Sequence, residues 1–222
     1  MKQLADGLHQ LGGFPPDAIN VYLMGDVLVD AGTRFAAGRI LRQLKGHAVA
    51  AHALTHAHPD HQGSSRRVCT ALEVPLWCGA ADADAAEDPR LILARMRYRW
   101  ANAAMVTLLT GPGHPVARRL REGDEVAGFT VLETPGHTIG HVSFWRESDR
   151  TLVAGDVLAH FPGITGRPQL SEPPGLFSVD PALNRRSARR LAALEPALVC
   201  FGHGPPLRDT RRFVEFVAGL AD

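Results

Sequence analysis

Within the seven residues Thr55-His56-Ala57-His58-Pro59-Asp60-His61 stand three imidazoles and one carboxylate, spaced H-x-H-x-D-H. Imidazole nitrogen and carboxylate oxygen together form the donor set of zinc, iron and manganese sites. Three imidazoles crowded beside an aspartate repel one another when protonated and bury poorly without a cation between them. The segment therefore implies a metal centre.

Three more ligand-type residues follow predicted strands, and each is preceded by glycine: Gly136-His137, Gly155-Asp156 and Gly202-His203. Glycine lets the backbone turn sharply beside a crowded centre. The candidate set is then His56, His58, Asp60, His61, His137, Asp156 and His203. Seven donors exceed one tetrahedral zinc and suit two divalent ions sharing a carboxylate.

The elements that must carry these residues can be read from periodicity. An apolar run from His47 to Leu54 reads as a buried strand whose exit loop holds the H-x-H-x-D-H cluster. Before it, Asn20 to Leu23 and Val27 to Asp30 form a hairpin about Met24-Gly25-Asp26. Phe35, Ile40, Leu41 and Leu44 recur at helical spacing until Gly46. Ser65 to Leu72 is a helix, Leu76 to Cys78 a strand, and Ala80 to Leu109 is helical with a break near Pro89. Phe129 to Glu133 is a strand, followed by an antiparallel pair, His141 to Trp145 with Thr151 to Ala154. Phe161 to Pro181 is a Pro/Gly-rich loop without periodicity, of the kind that carries function. Asn184 to Leu194 is a helix, Ala197 to Phe201 a last strand, and Thr210 to Leu220 a last helix. Strands and helices in this order give an α/β layered domain with mixed sheets.

Composition narrows the function classes. A net charge of +1 over 222 residues offers no basic surface for nucleic acid or an anionic membrane. Three cysteines, Cys69, Cys78 and Cys200, lack C-x-x-C spacing and cannot pair completely, which speaks against a disulfide framework or a zinc ribbon. No signal-peptide pattern and no apolar run of membrane-spanning length is visible. A cytoplasmic protein acting on a small molecule is the expectation, with no nucleic-acid or membrane partner; a homo-oligomer is compatible with it.

The T-H-x-H-x-D-H segment, Pro135-Gly136-His137-Thr138, Gly155-Asp156 and Gly202-His203-Gly204 resemble the metallo-β-lactamase fold superfamily, from about Asn20 to His203. The resemblance implies a four-layer αββα sandwich of two mixed β-sheets with outer helices, with metals at one edge between the sheets. It implies one domain over residues 1–222 with a helical insertion at about 80–121. It assigns His56, His58 and His137 to a first metal, Asp60, His61 and His203 to a second, and Asp156 to both. Asp30, in Leu28-Val29-Asp30-Ala31-Gly32, matches the family's early strand-end aspartate and would orient a ligand imidazole or nearby backbone. The activity implied is metal-dependent hydrolysis: hydroxide activated by two metals, most simply zinc with iron or manganese as alternatives, cleaves an ester, thioester, lactone or related bond. Asp60 would also take up a proton from the nucleophile. β-Lactam or phosphodiester hydrolysis on the same site is an alternative. So is a single-iron persulfide dioxygenase using His56, His137 and Asp156.

The metal motif most resembles that of glyoxalase II, whose members commonly carry a C-terminal helical region for glutathione; 19 residues follow His203 here. Substrate contacts are therefore expected from the 80–121 insertion and the 161–181 loop, with Tyr98, Trp100, Phe161 and Phe177 suited to an apolar or acyl-bearing substrate. Taken as a cluster, Met96, Tyr98, Trp100 and Met105 read first as packing and second as a substrate box. Tyr22 reads as either site-facing or packing. Arg66 and Arg67, and the Arg185, Arg186, Arg189 and Arg190 face, read as solvated. His9, His47, His52, His114 and His160 read as ordinary surface or capping residues, His160 being the one closest in sequence to a candidate ligand.

Overall fold

Successive strand residues face opposite sides, and in the central strands both sides are buried, one against a facing sheet and the other under helices. The structure, a computed structural model, describes residues 1–162 and 167–221. β1 (Lys2–Ala5), β2 (Leu8–Gln10), β3 (Tyr22–Met24), β4 (Val27–Val29), β5 (Ala51–Ala53), β6 (Leu76–Gly79) and β7 (Val116–Leu120) form a seven-stranded sheet in chain order. The first four strands pair antiparallel and the rest parallel. β8 (Glu125–Val126), β9 (Phe129–Glu133), β10 (Val142–Arg146), β11 (Thr151–Gly155) and β14 (Leu198–Phe201) form a second sheet, in the order β14-β11-β10-β9-β8. Both sheets are thus mixed.

Tyr22, Met24, Val29, Ala53, Phe144 and Val153 belong to the core between the sheets. Their chain neighbours point outward. Leu23 and Leu28 pack under α1 (Ala37–Gln43) with Ile40 and Leu44. Leu152, Ala154 and Val199 pack under α7 (Pro181–Ala192) and α8 (Thr210–Ala218) with Leu191 and Phe213. Each fully buried Phe or Leu of these layers contributes about 1.5–3 kcal/mol. The result is the expected αββα sandwich. α2 (Pro59–Gln62) and α3 (Ser65–Leu72) follow β5, and α4 (Ala83–Glu87), α5 (Arg90–Arg95) and α6 (Arg99–Leu109) follow β6. A separate hairpin pairs β12 (Ala159–Pro162) with β13 (Pro168–Ser171).

Several expectations are corrected. The β1–β2 hairpin was not foreseen, because a Gly7 turn with φ of 61° joins strands too short to show alternation. The 80–121 segment is helical only to Leu109; Val116–Leu120 extends the first sheet beside β6. β5 is shorter than the 47–54 run. Phe35 precedes α1 and is exposed rather than part of its buried stripe. The 161–181 segment contains the end of one hairpin strand and all of another, while 163–166 lie outside the described residues. Arg185 and Arg190 are not simply solvated, since they pair with Glu172 and Glu122 at 2.7 Å and 2.5 Å. Arg66 and Arg67 are exposed, as expected. All three cysteines are free and buried. Among the described residues no helix is long and apolar enough to cross a membrane.

Candidate metal centre

The seven candidate residues come from four chain segments that end at one edge of the sandwich. β5 delivers His56 and His58, and Pro59 at the first position of α2 sets the turn that presents Asp60 and His61. β9 leads to His137, β11 to Asp156 and β14 to His203. Asp156 Oδ2 is the hub: the Nε2 atoms of His203, His61, His137 and His56 lie 3.2, 3.4, 3.5 and 3.9 Å from it. His203 Nε2 is also 3.2 Å from Asp60 Oδ2. The donor atoms sort into His56–His58–His137, His56–His61–Asp156 and Asp60–His61–His203, each set within 4.8 Å. Two outer triads thus meet across a shared carboxylate.

Buried polar atoms normally find partners, yet His56 Nε2, His137 Nε2 and Asp156 Oδ1 are buried with none. These unpaired donors point into one cluster of nitrogen and oxygen ligands, which is what a divalent cation would satisfy. The packing around the hub is tight: a Cβ on Gly202 would lie 1.9 Å from Asp156 Oδ1, so only glycine fits there.

In His56, His61, His137 and His203 the imidazole nitrogen that faces away from the cluster is held. Asp30 takes positive φ (61°) at the end of β4, and its Oδ2 accepts from His61 Nδ1 at 2.9 Å. The same carboxylate accepts from the Thr55 backbone N–H at 2.8 Å and from the Thr55 hydroxyl at 2.8 Å. Because Asp30 can only accept, Thr55 Oγ1 donates to it and accepts from His56 Nδ1 at 3.0 Å, leaving the His56 Nε2 lone pair free. Asp30 therefore orients both an imidazole and backbone. His203 Nδ1 donates to Ala18 O at 2.6 Å, and His137 Nδ1 lies 3.2 Å from Ser178 Oγ.

Two bracing residues had escaped the sequence reading. Asp82, at the end of β6, is buried; its Oδ2 accepts from Ala57 N at 3.1 Å and Thr138 Oγ1 at 2.5 Å, and its Oδ1 from Gly140 N at 3.0 Å. It clamps the His56–His58 loop to the His137 loop. His141 Nε2 accepts the Asp156 backbone N–H at 3.0 Å, so its Nδ1–H donates to Thr134 at 2.8 Å. Burial pulls His141 down to about 3, which keeps it neutral in this role. Neither has a motif signal beyond a polar residue near a strand end.

Electrostatics divide the imidazoles. Burial holds His56, His58 and His137 below the usual histidine range, ready to present lone pairs. Burial also opposes charge on His61 and His203, but Asp156 heads the carboxylates that outweigh it, lifting His61 well up and His203 to about 10. Asp60, though desolvated, is held low by His61 and His203 and is ionised at neutral pH.

A pocket of about 160 Å³ lies against the cluster, bounded by His58, Asp60, His137, Asp156 and His203 on one side. Met96, Met105, Phe161 and Phe177 bound the other side. Tyr98 and Trp100, expected there, do not line it and are 40% and 85% exposed. Met96 and Met105, read first as packing, do. Tyr22 is a packing residue, with its hydroxyl donating to Phe201 O at 2.6 Å. His52 is not on the surface but buried between Leu28 O and Ser65 Oγ, and His160 is buried against Pro205 O.

A model of the metallo-beta-lactamase superfamily matches residues 14–203. The chain belongs to this superfamily. It is 29% identical, over 237 aligned positions, to the probable metallo-hydrolase YflN of Bacillus subtilis, covering 92% of this chain and 86% of that protein. It is 30% identical over 156 positions to a hydroxyacylglutathione hydrolase of Methylococcus capsulatus, covering 68% of this chain and 46% of that enzyme. The solved structure of TTHA1623 in a di-iron-bound form superposes with a TM-score of 0.61 at 31% identity, covering 92% of each chain. The chain is thus a metal-binding hydrolase of the metallo-β-lactamase superfamily.

Proposed function

We propose that this hydrolase binds two divalent ions, zinc first among them, and cleaves an ester, thioester or lactone bond of a small molecule. The observation that carries the reading is the pair of triads sharing the Asp156 carboxylate on the wall of a pocket. His56, His58 and His137 would hold one ion, Asp60, His61 and His203 the other, and Asp156 both. When bound, such ions lower the pKa of a water and polarise the acyl oxygen.

The remaining work falls to the chain's own groups. Asp30, Thr55, Ser178 and the Ala18 carbonyl fix which imidazole nitrogen faces the site. Asp60 lines the pocket and is ionised, so its carboxylate can accept a proton from the attacking water and pass it on. The balance is simple: the water oxygen bonds to the acyl carbon, the carbon–oxygen or carbon–sulfur bond breaks, and the leaving alcohol or thiol keeps one water proton. The hydroxyacylglutathione hydrolase relative supports a thioester among these bonds. The di-iron form of TTHA1623 keeps iron as the alternative metal.

Elemental analysis of the purified protein, with turnover of a thioester, lactone, phosphodiester and β-lactam panel, tests this. Two zinc per chain with acyl hydrolysis is the expected result. One iron per chain without hydrolysis would replace it with the dioxygenase reading.

A further inference from the structure

The pocket beside the ligand cluster has two halves of opposite chemistry. Its polar half consists of the candidate metal ligands alone. Its other half is Met96, Met105, Phe161, Phe177 and the prolines around them, with Ala159. No Lys, Arg, Ser, Thr, Asn or Gln lines it among the described residues. Arg95 borders an adjoining smaller cleft that shares His58 and Met96, but its guanidinium donates to Ala81 O at 3.0 Å. A carboxylate, phosphate or ammonium seated in the apolar half would lose its water and gain no partner.

The two walls of that half are also tied together. Asn102 on α6 is buried, and its Nδ2 donates to Leu176 O at 3.0 Å in the loop that carries Phe177. The same loop reaches the ligand cluster through Ser178, and Val179 N–H donates to His137 O at 3.1 Å. Met96 is anchored in the cluster of α4, α5 and α6 with Ile92 and Val106. The apolar half is therefore set at a defined position relative to His137 rather than being a free flap.

We propose that this half is an acyl-specificity pocket that takes a neutral apolar acyl chain and rejects acyl groups bearing a second charge, with Met105 a specificity-determining residue. The inference rests on the hydrolase reading and narrows its substrate class to esters, thioesters or lactones of uncharged aliphatic acids.

Butanoyl and succinyl thioesters of N-acetylcysteamine share a four-carbon acyl chain and a neutral leaving group, and differ in the terminal carboxylate. With the metal-loaded protein, kcat/KM is expected to rise about fourfold per methylene from acetyl to butanoyl, and to fall about 100-fold or more from butanoyl to succinyl. Met105→Arg, on a half-buried position of α6, should narrow that ratio by at least tenfold, and Met105→Ala should lower the gain per methylene. Binding of butanamide and succinamate, followed by NMR on the same protein, supplies an arm without turnover. Succinyl turnover equal to butanoyl, or a ratio unmoved by Met105→Arg, would overturn the pocket assignment while leaving the hydrolase reading standing. Failure to hydrolyse any ester, thioester or lactone, with butanamide still binding in a Met105-dependent way and succinamate not, would support the pocket and defeat the acyl-hydrolysis reading.

Discussion

Around the ligand cluster, His56, His61, His137 and His203 each have the nitrogen away from the site engaged by a named partner. Across the pocket, Met96, Met105, Phe161 and Phe177 offer only apolar contact, and one side-chain hydrogen bond, from Asn102, joins their two walls. Directional bonds fix where a nitrogen points to within a fraction of an ångström, which metal coordination demands. Apolar contact is non-directional and fixes only volume and polarity. The two regions should therefore fail separately, the first through metal content and the second through substrate preference.

The sharpest break of that separation is at the hub. Asp156→Ala should cost at least about 10³-fold in kcat/KM and reduce bound metal below two equivalents by elemental analysis. A variant that kept two equivalents would remove Asp156 from its shared role. Asp60→Asn should retain much of the metal, because an amide oxygen can still ligate, and lose about 10²-fold or more in kcat as the proton acceptor goes. Full activity in that variant would remove the acceptor role.

Bracing residues give the next tier. Asp82→Asn replaces a group that accepts three hydrogen bonds with one that must turn an NH₂ toward a donor. Metal affinity by chelator competition should fall about 10- to 100-fold, with the acyl preference of the remaining activity unchanged. A shift in acyl preference instead would mean that floor and wall are one unit.

Protons compete for the same nitrogens. In the metal-free protein His61 and His203 hold protons at neutral pH, since their carboxylate neighbours raise them. Metal must displace these protons, so apparent affinity should weaken as pH falls, by up to about tenfold per pH unit for each proton released. The stability sign follows. A raised histidine contributes fully below the unfolded value of about 6.5 and is lost as pH rises through the folded value. Metal-free protein should then lose melting temperature as pH rises from 7 through about 10, the His203 value. The metal-loaded protein, whose His203 is neutral with its one proton on Nδ1 toward Ala18 O, should not. Equal pH profiles for the two forms would show that His203 is not a ligand.

The sequence carried the floor far better than the wall, for a physical reason. Coordination restricts residue type, so His56, His58, Asp60 and His61 announce themselves, and glycines before His137, Asp156 and His203 mark where a crowded centre excludes a Cβ. Short apolar runs bounded by turn residues made β3, β4, β9, β10 and β11 readable. β7 was hidden because Arg118 and Arg119, on opposite faces of an edge strand, interrupt any apolar run, and β1 and β2 are too short to alternate. Asp82 and His141 could not be found because what they do depends on which loops the fold brings to them. For the wall, the loop residues Phe161 and Phe177 line the pocket as expected, but composition alone cannot tell which side chains of a helix turn inward, and Tyr98 and Trp100 do not.

Trp100 is the mildest and most discriminating test of that last point. It sits in the first turn of α6, five residues before Met105, yet it is 85% exposed and lines no part of the pocket against the cluster. On a helix, positions five apart point about 140° from one another, so the face that offers Met105 to the pocket turns Trp100 to solvent. Trp100→Ala removes a large exposed ring with no described partner in the site. Its effect on stability should stay within about 0.5 kcal/mol, as for other surface changes, and KM for butanoyl thioester should move less than about twofold. A several-fold rise in KM would mean that α6 rotates or closes when substrate binds, bringing Trp100 onto the acyl chain and making the wall a moving element.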